Sequence, residues 1–215
     1  MQDIASEEDI PFEVLRELHV EYARAKRRGK ILSKYIKPDS VGAEIGVFWG
    51  HFAEEILEKF KPNKLYLVDP WDKLYPTHYP QWGAYTLFGK LPTKLCREYV
   101  ENLASNNPEV SIFHGFSYEF YETLNDQSLD WIYIDGNHQY EKVLDDINGA
   151  LPKLKKDGVI MGDDFRKAER FQDKGVNRAV REVLNGTGRK LVLEAPYQFV
   201  LLPASSADES ANYGD

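Results

Sequence analysis

Five short apolar runs, "VGAEIGV", "KLYLVD", "VSIFHG", "LDWIYID" and "GVIMGDD", follow one another along the chain, with helical patterns such as "FAEEILEKF" and "YEKVLDDINGALPKL" between them. Strands that alternate with helices cover their apolar faces when the strands run parallel and the helices cross over the sheet. The alternation therefore predicts an α/β fold, doubly wound and Rossmann-like, mostly parallel, with helices on both faces. The finish breaks the pattern. "KLVLEA" and "FVLLPA" are separated only by "PYQ", too short for a helical crossover, so they should pair as an antiparallel hairpin and bring the sheet to seven strands. Ahead of the sheet, residues 12–36 carry Phe12, Leu15, Leu18 and Tyr22 at helical spacing. We divide the chain into a helical segment at 1–39, a sheet domain at 40–203 and a disordered tail, "ASSADESANYGD", at 204–215.

Composition narrows the function. The 215 residues suit one domain with a core of good size. A formal charge of -8 argues against nucleic acid or an anionic membrane as the main partner, and the local basic run "RAKRRGK" reads as a solvated helix face. Cys96 is the single cysteine, which excludes an intrachain disulfide and a cysteine-based zinc site. No apolar stretch approaches the roughly 20 residues that span a bilayer, and "MQDIASEEDI" lacks the apolar region of a signal peptide. The expectation is a cytoplasmic enzyme or binding protein, with a homo-oligomer left open.

An open parallel sheet binds ligands at the carboxyl ends of its strands. Those ends hold residues 44–50, Asp69, residues 114–117, Asp135 to His138, and Asp163 with Asp164. "EIGVFWG" places Glu44, Gly46 and Gly50 at the turn from first strand to helix. The spacing is not that of the dinucleotide fingerprint, because Val47 and Phe48 fill that register, and a phosphate-free ligand fits better. Asp69 ends the second strand about 20 residues on, where a carboxylate can accept both hydroxyls of a ribose. The alternative is a plain glycine turn followed by an N-capping Asp.

"VGAEIGVFWG", "LYLVDPW", "FHGFS", "LDWIYIDGNHQYEKVLDDINGALPKLKKDGVIMGDDF" and "GVNRAVREV" together resemble class I S-adenosylmethionine-dependent methyltransferases over roughly residues 40–202. The likeness is greatest to metal-dependent O-methyltransferases of the macrocin O-methyltransferase type. The resemblance implies that Glu44, Gly46 and Gly50 flank the methionine part of the cofactor, that Asp69 holds the ribose, and that Phe116 and Ser117 border the adenine. Asp135 joins them at the cofactor's edge.

Asp135 and Asp163 lie 28 residues apart, at the ends of strands that one crossover helix should make neighbours, and Asp164 follows directly. Three carboxylates in one cleft repel unless a cation compensates them. A hard divalent ion suits oxygen ligands, Mg²⁺ first and Mn²⁺ or Ca²⁺ next. The resemblance points the same way, since its members carry acidic residues at these positions. The plainer alternative makes Asp135, Asp163 and Asp164 helix or turn caps. His138 sits three residues past Asp135, and a neutral imidazole there can take a proton from a hydroxyl. In the resembling family this His is the general base; by itself it also suits a helix cap.

The acceptor is expected to be a small molecule, a saccharide, vicinal diol or phenol. The aromatic stretch at 71–92, with Trp71, Tyr75, Tyr79, Trp82, Tyr85 and Phe88, reads as a lid over it, or else as packing on the sheet edge or a dimer interface. Arg166 or Lys167 would add a cation for an acidic acceptor. Macrolide-sugar methyltransferases of this type carry longer N-terminal segments, whereas this chain reaches its first strand near residue 41, which disfavours a macrolide. Three rival readings stay open: a metal-independent methyltransferase, a NAD(P)-dependent oxidoreductase, and a non-catalytic S-adenosylmethionine-binding protein.

Overall fold

The computed structural model describes residues 12–74, 76, 77, 86, 89–166 and 175–204. In chain order they form α1 (Phe12–Leu32), β1 (Val41–Ile45), α2 (His51–Phe60), β2 (Lys64–Asp69), α3 (Thr93–Ser105), β3 (Val110–His114) and α4 (Ser117–Thr123). There follow β4 (Leu129–Ile134), α5 (Tyr140–Ala150), β5 (Leu154–Gly162), α6 (Gly175–Thr187), β6 (Lys190–Glu194) and β7 (Gln198–Leu202). The seven strands make one sheet in the order β3-β2-β1-β4-β5-β7-β6. β1 to β5 pair in parallel, and β7 runs antiparallel to both β5 and β6. The predicted fold class and C-terminal hairpin are what the chain adopts.

"LDWIYI" is apolar along its whole length because both faces of its strand are covered, as buried parallel strands require. Ile132 and Ile134 face a core built with Phe120 on α4, Val143 and Ile147 on α5, and Val180 and Val183 on α6. Trp131 and Tyr133 face the other core, with Ala25 and Leu32 on α1, Phe52 and Ile56 on α2, and Cys96 and Val100 on α3. Each fully buried Ile, Leu or Phe contributes about 1.5–3 kcal/mol, so the two layers together fix the sheet between them. α1 packs along α2, and its buried positions Ala25, Gly29 and Leu32 recur every three or four residues. Arg28 lies on that same face.

The chain runs outward from β1 through β2 to β3, then returns to lay β4 on the other side of β1. The crevice between the carboxyl ends of β1 and β4 is therefore the switch point where open sheets take ligands. Among the described residues, no helix is long and apolar enough to cross a membrane. Of the aromatics expected in a lid, Tyr75, Tyr79, Trp82, Tyr85 and Phe88 lie outside the described residues, as do Lys167 and residues 205–215 of the expected tail.

Candidate active site

Four strands meet at the crevice. The Asp135 amide donates to Ile45 O at 2.8 Å, the Asp163 amide to Ile134 O at 3.2 Å, and the Gly46 amide to Val68 O at 2.9 Å. Gly46 has φ 86, and a Cβ there would stand 2.3 Å from Asp135 O, so only glycine allows the two chains to approach so closely. Gly50, with φ 82, starts α2 with no side-chain cap, and a Cβ there would meet Val100 on α3 at 2.9 Å.

The loop between these glycines is held by Asp69. Its Oδ2 accepts the Val47 amide at 2.9 Å and the Phe48 amide at 3.0 Å, while Oδ1 accepts the Trp71 amide at 2.8 Å. Burial pushes the Asp69 carboxyl up, and the three amides pull it back. Both oxygens are thus engaged with backbone, a role the ribose expectation did not include. The Val47 and Phe48 amides, which a pyrophosphate would need, are spent on Asp69. Trp71 follows the packing alternative rather than the lid. Rather than offering its face to an acceptor, it is 1% exposed and donates Nε1–H to Phe48 O at 2.9 Å, bracing the loop from behind.

Glu44 lies beneath the loop at 2% exposure, and its Oε2 has no hydrogen-bond partner among the described residues. Burial holds its carboxyl well above the usual range, with Arg28 pulling the other way.

The acidic residues do converge, but in two groups. Asp135 Oδ1 faces His138 Nε2 at 3.5 Å, and Asp164 Oδ2 faces His138 Nδ1 at 3.0 Å. One ligand atom from each of Asp135, His138 and Asp164 lies within 4.8 Å of the others. Asp164 reaches this position through a left-handed backbone, φ 61, a conformation Asp tolerates better than most residues. Asp163, expected in the same ligand set, faces elsewhere. It pairs with Arg28 through Oδ2, while its Oδ1 accepts Gln198 Nε2 at 2.7 Å and the Asp164 amide at 2.7 Å. Gln198 in turn accepts the Tyr133 hydroxyl at 2.8 Å. Arg28 also reaches Asp135 Oδ2 at 2.9 Å, and Arg166 reaches Asp164 Oδ1 at 3.2 Å. Neither Asp135 nor His138 caps α5, whose N-cap is Gln139 with no side-chain cap and whose Gln139 amide is taken by Asn137, whereas Asp163 does take the next amide as a turn cap would.

His138 is about half exposed at the mouth of the crevice. The Asp135 carboxylate beside it raises the imidazole's proton affinity above the ordinary histidine range, against the opposing pull of burial. Farther along, Phe116 precedes α4 and stacks on Tyr118, ring centroids 5.6 Å apart. The Ser117 hydroxyl donates to Asp146 on α5, whose buried carboxyl is pushed up to about 6.

Sequence reasoning missed Arg28, Gln198 and Asp146. For Arg28 the signal was present: it falls three residues after Ala25 and four before Leu32, on the apolar stripe of the helix, yet it sits in a basic run that reads as solvated. Gln198 and Asp146 had none, because their partners are distant in sequence.

The family described as a methyltransferase domain matches residues 43–165, more than half of the chain. No curated protein matches the sequence. Among solved structures, a protein from Corynebacterium glutamicum is similar over 91% of each chain, at 13% identity and TM-score 0.58. A SAM-dependent methyltransferase from Aquifex aeolicus is similar over 85% of this chain and 95% of its own, at 15% identity and TM-score 0.52. Fibrillarin from Aeropyrum pernix, solved with natively bound S-adenosyl-L-methionine, is similar over 83% of this chain and 72% of its own, at 12% identity and TM-score 0.53. At these identities the likeness is one of fold.

Proposed function

The chain belongs to the methyltransferase-domain family, and from that premise we propose that it is a metal-assisted O-methyltransferase of the macrocin O-methyltransferase type. Its acceptor would be a hydroxyl of a small saccharide, diol or phenol, and its methyl donor S-adenosylmethionine. One observation carries the reading: His138, a proton acceptor, stands at the carboxyl end of β4 with a carboxylate at each ring nitrogen.

The residues at the switch point fit the cofactor. The orphaned Glu44 Oε2 suits an ammonium donor. Glu44, Gly46, Gly50 and Asp135 would hold the methionine end, with Phe116 and Ser117 at the adenine. Asp69 would serve the ribose through lone pairs left over from its backbone bonds. When bound, S-adenosylmethionine supplies an electrophilic methyl on a sulfonium. Asp135 and Asp164 would hold a divalent ion, Mg²⁺ or Mn²⁺, whose charge would favour ionisation of a nearby hydroxyl.

The protein's own part is positioning and proton transfer. Asp135 and Asp164 fix the imidazole plane and favour the imidazolium that forms when His138 takes the acceptor proton. A base must be neutral at rest, so we assign the ion to Asp135 and Asp164, whose charge it would offset, and keep His138 for the proton. The rigid strand ends hold base and acceptor in register, which lowers the entropic barrier.

A metal-free version has its own support, because Arg28 and Arg166 already set cations against Asp135, Asp163 and Asp164. Release of S-adenosylhomocysteine from S-adenosylmethionine, across a panel of saccharides, diols and phenols, tests both. EDTA should abolish turnover and Mg²⁺ or Mn²⁺ restore it; full turnover in EDTA favours the metal-free version. His138→Ala should lower turnover ~10²- to 10⁴-fold while S-adenosylhomocysteine still binds in calorimetry. Undiminished turnover in that variant removes the base. Binding of NAD in place of S-adenosylhomocysteine would overturn the reading altogether.

A further inference from the structure

We propose that Arg28 is a resident cation that keeps Asp163 out of the divalent-ion ligand set and so sets how tightly the crevice takes a metal. The inference rests on the metal-assisted reading above.

α1 delivers Arg28 from its buried face, between Ala25 and Leu32. The guanidinium passes 5.9 Å from the Phe52 ring centroid and 5.7 Å from that of Tyr133, with 18% of the side chain exposed. It then pairs with Asp163 and with Asp135 Oδ2 at 2.9 Å. Gln198 and the Asp164 amide occupy the other oxygen of Asp163. Asp163 is thereby held on the inner side, while Asp135 Oδ1, His138 and Asp164 face one another on the outer side. The guanidinium thus engages Asp163 on the inner side and only one oxygen of Asp135, leaving Asp135 Oδ1 facing His138 and Asp164.

Two effects oppose metal binding in this arrangement. A guanidinium does not lose its proton in a protein, so its charge stands permanently beside the outer set. It also removes one anionic ligand, leaving an incoming ion two carboxylates where the sequence offers three. Both contacts come from one guanidinium nitrogen, Nη2, so a single amino group of Arg28 bridges the two carboxylates.

The test is Mn²⁺ binding to the full chain, stripped with EDTA and then dialysed free of it, with free Mn²⁺ read by electron paramagnetic resonance. S-adenosylhomocysteine binding is measured on the same samples by calorimetry. Arg28→Gln should bind Mn²⁺ about tenfold tighter than wild type or better, since both the like charge and the lost ligand are reversed. The double variant Arg28→Gln with Asp163→Asn should lose most of that gain. Arg28→Lys should fall between wild type and Arg28→Gln, and it stands in if Arg28→Gln does not fold. Wild-type Mn²⁺ affinity in both Arg28→Gln and Arg28→Lys, with S-adenosylhomocysteine still bound, overturns the inference alone. A gain that survives undiminished in the double variant also overturns it, because Asp163 is then not the ligand released. If neither wild type nor any variant binds Mn²⁺ while all bind S-adenosylhomocysteine, the metal-assisted reading fails and takes the inference with it.

Discussion

Asp146 gives a stability prediction whose size follows from its surroundings. It is 7% exposed on α5, and its carboxyl accepts the Ser117 hydroxyl. Burial pushes it from 3.8 up to about 6; Ser117 pulls it down, Asp145 pushes it up, and Lys142 pulls it down. The raised value fixes the sign. Well below pH 3.8, Asp146 is protonated in the folded and the unfolded chain alike, and its contribution to stability is complete. As pH rises, the unfolded chain ionises first and the buried carboxyl resists, so stability is lost until the folded form also ionises just above pH 6. At about 1.36 kcal/mol per tenfold change in proton affinity, the loss is ~3 kcal/mol. Urea unfolding of wild type and Asp146→Asn between pH 4 and pH 8 isolates it, because the other titrating groups cancel in the difference. Asp146→Asn should gain ~3 kcal/mol on wild type between pH 4 and pH 7, then run parallel to it. Ser117→Ala removes the one hydrogen bond holding the value down, so the transition should move to higher pH. A difference independent of pH would refute the burial argument.

The glycine loop yields two more predictions. Gly46→Ala places a Cβ against Asp135 O at a left-handed φ, so it should destabilise the fold by ~2 kcal/mol or more in urea. It should also abolish S-adenosylhomocysteine binding at temperatures where the variant is still folded; retained affinity would take Gly46 out of the site. Asp69→Ala strands three amides and should cost ~3 kcal/mol or more, with Asp69→Asn milder because one acceptor oxygen remains. Unchanged stability in Asp69→Ala would show that the loop stands without its carboxylate.

Much of this architecture was legible before any coordinates. Strand runs such as "KLYLVD" and "LDWIYI" carry their own signal, since apolar residues on both faces suit a strand buried on both sides. The three-residue link "PYQ" settled the hairpin by reach alone, and one crossover helix put Asp135 beside Asp163. What each carboxylate would hold was not legible. Asp69 binds amides 21 and 22 residues away, and Asp163 binds side chains 135 and 35 residues away. Such choices follow from packing in three dimensions and leave no local pattern. Trp71 misled for a related reason: an aromatic that opens an aromatic, proline-broken stretch looks like lid, while its indole N–H is satisfied by a backbone carbonyl in another loop. Cations do stand against the three carboxylates, and the ones the fold supplies are Arg28 and Arg166.

Asp163 is held by one residue from the first helix and one from the last strand in chain order. During translation, Arg28 emerges before any strand of the sheet, and Gln198 emerges after β6. At ~5–20 residues per second, the newly made β5 waits seconds for β7, with one edge unpaired and Asp163 gripped on one side only. A ribosome that stops short of β7 releases a chain with an open, apolar sheet edge, which favours aggregation and capture by chaperones. The acidic crevice is therefore finished only in chains translated through β7, and prematurely terminated products are left without a working cleft.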